Sequence, residues 1–177
     1  MKKENNIAFI DWQNLHLWTQ SEWWGVDYKK FRIYLKDKFK VQEAYYFLWF
    51  LSEKEQDLYS SLQKAGFIVI FRKHTELLKW KKKWNVDVDI VFEIMKRIIE
   101  KNKEDQDFDK ILLVSWDWDY IKPVNYFIDK KIFKKILFPN KNHSSLYNSI
   151  QHEYWLNLWV SGIKKKIEYK KRGALRD

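Results

Sequence analysis

The sequence predicts a single α/β domain built on a mostly parallel, five-stranded sheet flanked by helices. Three observations carry this expectation. Short apolar runs alternate with longer stretches of helical periodicity in the order β-α-β-α-β-α-β-α-β, the pattern of a doubly wound sheet. Residues 111–114, Ile-Leu-Leu-Val, are apolar at consecutive positions, as in a strand covered on both faces by helices. Two of the strand-like runs end abruptly in acids, at Asp11 and at Asp117 and Asp119. At 177 residues, with no internal repeat, the chain suits one domain with a sizeable core.

Taken in order, residues 7–10 form the first strand and deliver Asp11 to its carboxyl end. Tyr28, Phe31, Leu35 and Phe39 then recur with helical spacing behind Asp27, a natural N-cap. Residues 43–51 read as a second buried strand. Ser52 with Glu55 makes a capping box that opens a helix to about Lys64, with Leu58, Leu62 and Ala65 on one face and Gly66 closing it. Residues 67–71 are a third strand. From Val86 to about Asn102 a helix buries Val86, Ile90, Ile94 or Val91, Ile98 and Ile99, and leaves Lys96, Arg97, Glu100 and Lys101 in water. The strand at 111–114 follows, then a helix to about Asp129 with Pro123 tolerated in its first turn. Residues 132–138 form the fifth strand. A short helix opens near Ser144 or Ser145, and residues 154–160 are left as either a last strand or an apolar loop.

Composition narrows the function classes. No run of 18 apolar residues exists, so a membrane-spanning helix is not expected, and the N-terminus lacks a signal-peptide core. Zero cysteines exclude disulfides and thiolate metal sites and fit a cytoplasmic protein. The formal net charge of +10 favours a polyanionic partner, nucleic acid before membrane. The chain holds 11 Trp and only 4 Gly, where average usage would give about a dozen Gly. Several of these Trp stand in tight connections that call for small residues or positive φ, the usual place of glycine. We therefore read several Trp codons as glycine in the source organism, through reassignment of UGA.

The acids carry the chemistry. Ligands of open α/β sheets bind beyond the carboxyl ends of the strands. Asp117 and Asp119, spaced i, i+2 at such an end, repel each other unless a cation holds them, so they read as a divalent-metal site. The alternative is an acidic turn in which Asp119 caps the following helix. Asp87 is either a first-turn acid stabilised by its own helix or a further carboxylate aimed at Asp117. Between the third strand and that helix, Arg72, Lys73, Lys79, Lys81, Lys82 and Lys83 crowd around Trp80 and Trp84. They form either an RNA-gripping loop beside the carboxyl edge or a solvated charge run. His16, His74, His143 and His152 show no metal-ligand spacing, and no phosphate-cradling glycine loop exists.

Three segments line up with a known pattern: Phe9-Ile10-Asp11-Trp12-Gln13-Asn14, Lys83-Trp84-Asn85-Val86-Asp87-Val88 and Leu113-Val114-Ser115-Trp116-Asp117-Trp118-Asp119-Tyr120. With Trp12, Trp84, Trp116 and Trp118 read as glycine, they resemble the signature segments of the NYN domain family, the LabA-like (DUF88) branch of the PIN-like nucleases. Leu137-Phe138-Pro139 and Ser144-Ser145-Leu146 are similar to that family's C-terminal portion. The resemblance implies a three-layer PIN-like (Rossmann-like) domain over residues 1–162, followed by a basic tail at 163–177. It also implies Mg²⁺- or Mn²⁺-dependent cleavage of RNA, with Asp11, Asp87, Asp117 and Asp119 as the acids and Asn14 and Ser115 supporting them. Asp11 and Asp117 are expected to hold the metal directly; Asp89 and Glu93 are less certain contributors. Hard oxygen ligands suit Mg²⁺, which binds through few carboxylates plus substrate phosphate.

The leading expectation is thus a metal-dependent ribonuclease acting on RNA, single strands favoured because exposed aromatics beside a basic groove allow base stacking. The oligomeric state stays open, a homodimer included. The rival readings are a non-catalytic RNA-binding or regulatory module of the same fold, and a phosphoacceptor protein. Acids drawn from separate segments speak against the last, which needs one dominant nucleophile.

Overall fold

In the computed structural model, residues 3–13, 15, 24–48, 53–71, 86–100, 108–140 and 145–169 are described. Strands β1 (Asn6–Asp11), β2 (Val41–Leu48), β3 (Ile68–Phe71), β4 (Lys110–Val114), β5 (Phe133–Phe138) and β6 (Trp155–Asn157) form one six-stranded sheet in the order β3-β2-β1-β4-β5-β6. Every ladder is parallel. The chain runs outward from β1 to β3, returns to place β4 on the other side of β1, and continues outward to β6. The strand order therefore reverses between β1 and β4, and a crevice opens at their carboxyl ends.

The expected five strands become six. The added strand, β6, is only three residues long and pairs with β5 at Ile136, Leu137 and Phe138. So short an edge strand carries no readable periodicity, but the ring of Trp155 lies 6.0 Å from that of Phe138 and helps seat it.

Each face of the sheet carries its own apolar layer. On one face lie α1 (Tyr28–Phe39), α2 (Gln56–Ala65) and α5 (Ser161–Ile167), with Phe31, Leu35, Leu62 and Ile167 against Ala8, Ile10 and Tyr46. On the other lie α3 (Asp87–Glu100) and α4 (Ile121–Asp129), with Ile90, Ile94, Val124 and Phe127 against Ile7, Phe9 and Leu113. Side chains alternate along a strand, so Asp11 and Ser115 share the parity of Phe9 and Leu113 and belong with the α3/α4 face.

Local chemistry sets the helix ends. The Asp27 carboxylate caps α1 by accepting from Lys30 N at 3.0 Å. Gly66 ends α2 at φ +90°, a left-handed conformation in which its N–H reaches back to Leu62 and Gln63. The Arg32 guanidinium then ties this corner to β2, donating to the carbonyls of Gly66 at 3.0 Å and Val41 at 3.1 Å. Ser52 of the capping box lies outside the described residues; α2 itself starts after a 3₁₀ turn, with Glu55 at its N-cap making no side-chain cap bond.

Two expectations for α3 change. Ile99 is 62% exposed, because the buried stripe runs through Val86, Ile90 and Ile94 and turns away from the sheet at the helix's end. Arg97 is not a solvated residue: its guanidinium lies 4.1 Å over the Tyr45 ring, and its Nε donates to Glu93 at 3.1 Å.

The tail expected from residue 163 belongs, through Tyr169, to the fold. Ile167 is fully buried, its carbonyl accepts from Asp27 N at 2.9 Å, and Val26 and Glu168 form an antiparallel bridge. Its lysines concealed this by giving the segment the composition of a solvated run. Residues 170–177 lie outside the described set.

The core is rich in phenols. Burial pushes Tyr46 well above its ordinary value of 10.0, and Tyr45 is raised by burial and by its bond to Glu43. A raised folded-state value gives stability that is complete below the unfolded value and lost as pH climbs past it. Thermal melts across alkaline pH are expected to show a steepening loss of stability above pH 10.0, blunted in Tyr46→Phe; equal slopes in the two proteins would refute this.

Candidate metal centre

The crevice between β1 and β4 gathers three acids. One oxygen from each of Asp87, Asp117 and Asp119 lies within 4.8 Å of the other two. They come from two elements: Asp87 opens α3, while Asp117 and Asp119 follow β4. Asp87 and Asp117 are half-buried and Asp119 is exposed, so the cluster faces solvent from a partly dry floor.

The segment after β4 is held by its own short side chains. Ser115 is fully buried, and its Oγ accepts from Asp117 N at 3.1 Å. Asp117 Oδ1 in turn accepts from Asp119 N at 3.0 Å and starts a 3₁₀ turn, Trp118–Tyr120, that leads into α4. The capping reading and the site reading are therefore both present, but Asp117 is the cap, where Asp119 was expected. One oxygen anchors the turn while the carboxylate remains in the acid cluster.

Asp11 is placed differently from its expected partners. It ends β1, is 3% exposed, and is not one of the three clustered acids. Its charge nevertheless reaches the site. Burial drives the Tyr120 phenol well above its ordinary value, and Asp11, Asp87 and Asp117 add to the shift. Tyr147 is raised first by burial and then by Asp117, Asp87 and Asp119. Both phenols thus lie within electrostatic reach of Asp87 and Asp117, Tyr120 also of Asp11 and Tyr147 also of Asp119. The Tyr147 hydroxyl also donates to the Asp117 carbonyl, fixing the turn from a 3₁₀ segment at Ser145–Ser149. Neither tyrosine was a candidate. Tyr120 could have been noticed for following the acids directly; nothing in the sequence marks Tyr147.

Other expected residues stand apart. Asp89 and Glu93 lie further along α3 and line a neighbouring cavity. Asn14 and the basic set Arg72, Lys73, Lys79, Lys81, Lys82 and Lys83 lie outside the described residues, as does Trp84. Among the described residues, positive φ occurs at Lys40, Lys131 and Gly66, so Trp12, Trp116 and Trp118 occupy ordinary backbone. Trp12 and Trp116 pack against the two apolar layers and Trp118 is 54% exposed. The backbone itself gives no reason for glycine there.

Three carboxylates at this spacing fit a hard divalent cation, which takes oxygen ligands and tolerates a solvent-facing side. No helix among the described residues is long and apolar enough to cross a membrane.

A search of the curated proteins finds no match. The fold is similar to a crystal structure of a protein of unknown function, VPA0982, from Vibrio parahaemolyticus, with a TM-score of 0.71 and 19% identity over 96% of this chain and 100% of that one. The family model described as NYN domain matches residues 6–156, which include the acid cluster and all six strands up to Leu156. On that match the chain belongs to the NYN domain family, a family of PIN-like nucleases.

Proposed function

We propose that the protein is a metal-dependent ribonuclease of the LabA-like branch, hydrolysing phosphodiester bonds of single-stranded RNA at the crevice between β1 and β4. The observation that carries this reading is the convergence of Asp87, Asp117 and Asp119 from two segments of the chain. Asp87 and Asp117 would hold the ion from the floor, and Asp119 from the solvent side; Asp11, buried at the end of β1, would orient rather than ligate. When bound, Mg²⁺ or Mn²⁺ supplies an activated water and charge to stabilise the leaving oxygen. Ser115 and Tyr147 keep the Asp117 turn in place from either side. Asn14, following β1, would bind a carboxylate or a phosphate oxygen.

The RNA backbone would be gripped by Arg72, Lys73, Lys79, Lys81, Lys82 and Lys83. The ends of that stretch support the assignment: Phe71 closes β3, Val86 immediately precedes Asp87, and the two line one cavity. The absence of cysteine suits a reducing, cytoplasmic setting.

The test is cleavage of end-labelled single-stranded RNA with Mg²⁺, with Mn²⁺ and with EDTA, at two salt concentrations. Cleavage is expected only with a divalent ion. With six cations gripping the phosphates of a single strand, binding is expected to weaken by about 300-fold between about 50 and 200 mM salt. Cleavage unchanged by EDTA, or binding indifferent to salt, would refute the respective half of the reading. The second reading, an RNA-binding module without turnover, draws on Trp116 and Trp118, the chain neighbours of Asp117. It is the reading that binding without cleavage would select.

A further inference from the structure

We propose that the groove between α1 and α5 is a second RNA-binding surface, which holds the phosphate backbone of a strand that also occupies the crevice between β1 and β4. This rests on the ribonuclease reading for its partner class. The groove measures about 400 Å³ and is lined by Lys30, Ile33, Tyr34, Asp37 and Lys38 of α1 and by Lys166 of α5. The α1 residues recur at i, i+3, i+4, i+7 and i+8, one stripe running beside the buried Phe31, Leu35 and Phe39. The groove thus follows the helix, and the two ends of the stripe lie about 12 Å apart along it.

Charge marks the partner. Residues 27–40 and 161–169 hold nine Lys or Arg against Asp27, Asp37 and Glu168, a balance of +6 out of the formal +10 of the whole chain. Lys38 and Lys166 are exposed. Lys30 is steered into place, its Nζ donating to the Glu168 carbonyl at 3.1 Å and lying 3.5 Å from the Asp27 carboxylate, so it brings less free charge than the other two. Lys164 is drawn onto the indole of Trp159 at 3.9 Å, which leaves Lys165 and Lys166 as the outward lysines of α5. Between the cations, Ile33 and the Tyr34 ring give an unpaired base an apolar surface to lie on, and Tyr34 is set edge-on to Phe39 at 5.7 Å. Lysines at both ends with an aromatic between them fit a single strand, whereas the flat surface of a bilayer does not enter a recess between two helices.

The groove starts at the edge of the sheet to which the acid crevice opens. Phe39 ends α1 at the amino edge, where its carbonyl accepts from Asn6 Nδ2 at 2.6 Å. Tyr28 begins the helix at the carboxyl edge: its ring meets that of Tyr46 at 6.0 Å, and Tyr46 pairs in register with Ile10, the residue before Asp11. Lys30 follows two residues on. The end of α5 is bound to the same corner, since Asp27 N donates to the Ile167 carbonyl at 2.9 Å and Tyr169 N to the Gly25 carbonyl at 2.7 Å. The groove therefore lies on the face of the sheet opposite α3, with its Lys30 and Lys166 end at the carboxyl edge. A strand cut at the crevice reaches it by passing over that edge beside β1, so only a strand of several nucleotides spans both.

The experiment measures binding of single-stranded RNA to the full chain in EDTA, which leaves the strand uncut, and compares the wild type with the double variant Lys38→Ala, Lys166→Ala. Strands of about 16 and about 4 nucleotides are used, the ends of the usual range of single-strand site sizes. The double variant is expected to bind the long strand about tenfold more weakly, with the slope of log K against log salt reduced by about 1.4, since each phosphate contact on a single strand contributes about 0.7. The short strand is expected to bind both proteins alike. Lys38→Arg with Lys166→Arg is expected to bind the long strand as the wild type does, which separates charge from structure. Long-strand affinity and slope unchanged in the Ala variant, or an equal loss for both strands, would overturn the groove. So would binding to phosphatidylserine vesicles that needs the two lysines while RNA binding is indifferent to them. Lysine-dependent binding of the long strand, with no divalent-dependent cleavage by the wild type, would overturn the ribonuclease reading and leave the groove standing. Divalent-dependent cleavage with long-strand binding unchanged in the variant would do the reverse.

Discussion

Replacing Asp117 with Asn is expected to remove divalent-dependent RNA cleavage while leaving the fold intact. Asp117 does two separable things. Its carboxylate contributes charge to the cluster with Asp87 and Asp119, and one oxygen accepts from Asp119 N at 3.0 Å to start the turn into α4. An Asn side chain keeps a carbonyl oxygen for the second task and loses only the charge. The backbone anchors from Ser115 and Tyr147 do not involve the altered group. Changing an outer group around a metal ligand costs about 10–100-fold in affinity or activity, so loss of a ligand's charge should exceed about 100-fold in cleavage rate. The thermal midpoint should stay near that of the wild type. Cleavage at the wild-type rate would remove Asp117 from the mechanism.

The second large effect is on stability. Phe9→Ala is expected to cost about 3–5 kcal/mol, the usual penalty for deleting a buried aromatic ring. Phe9 is fully buried in the central strand, stacks on Tyr45 at 5.3 Å, and meets Phe47 at 6.2 Å. The vacated space is bounded by β-sheet on one side and α3 on the other, elements that cannot collapse into it without breaking register. Because whole domains are stable by only about 5–15 kcal/mol, this single change should bring the chain close to unfolding at room temperature. Urea denaturation checks it through a lower midpoint at unchanged slope. Phe92→Ala is the control: the same deletion at 67% exposure should cost under about 0.5 kcal/mol. Equal costs at the two positions would contradict the placement of the core.

What the sequence made legible follows from where the physics is local. β1 and β4 were readable because consecutive apolar residues have few other fates, and Asp27 and Gly66 because caps are short-range chemistry. The acids at strand ends were visible for the same reason. β6 was ambiguous because three residues carry no period, and its seat on β5 comes from a tertiary contact at Phe138. The positions of Asp11 and Asp119 depended on how the turn after β4 closes. Only the fold shows Asp117 taking the cap, leaving Asp119 exposed in the cluster, with Asp11 buried at the end of β1 and outside it. Tyr147 and the packing of Arg97 over Tyr45 were illegible, since each joins elements distant in sequence. The glycine reading of Trp12, Trp84, Trp116 and Trp118 rests on the family pattern alone, because the described tryptophans sit at negative φ. Tryptic peptides of the native protein that carry Trp at 116 and 118 would end it.

The central claim is that Asp87, Asp117 and Asp119 together hold a divalent cation. Titration of Mn²⁺ into the metal-free protein, followed by electron paramagnetic resonance of the free ion, tests it without depending on any RNA. The wild type is expected to remove Mn²⁺ from solution at a saturable site, and Asp87→Asn to lose that uptake while keeping the wild-type circular dichroism. Equal Mn²⁺ uptake by the folded wild type and Asp87→Asn would contradict it.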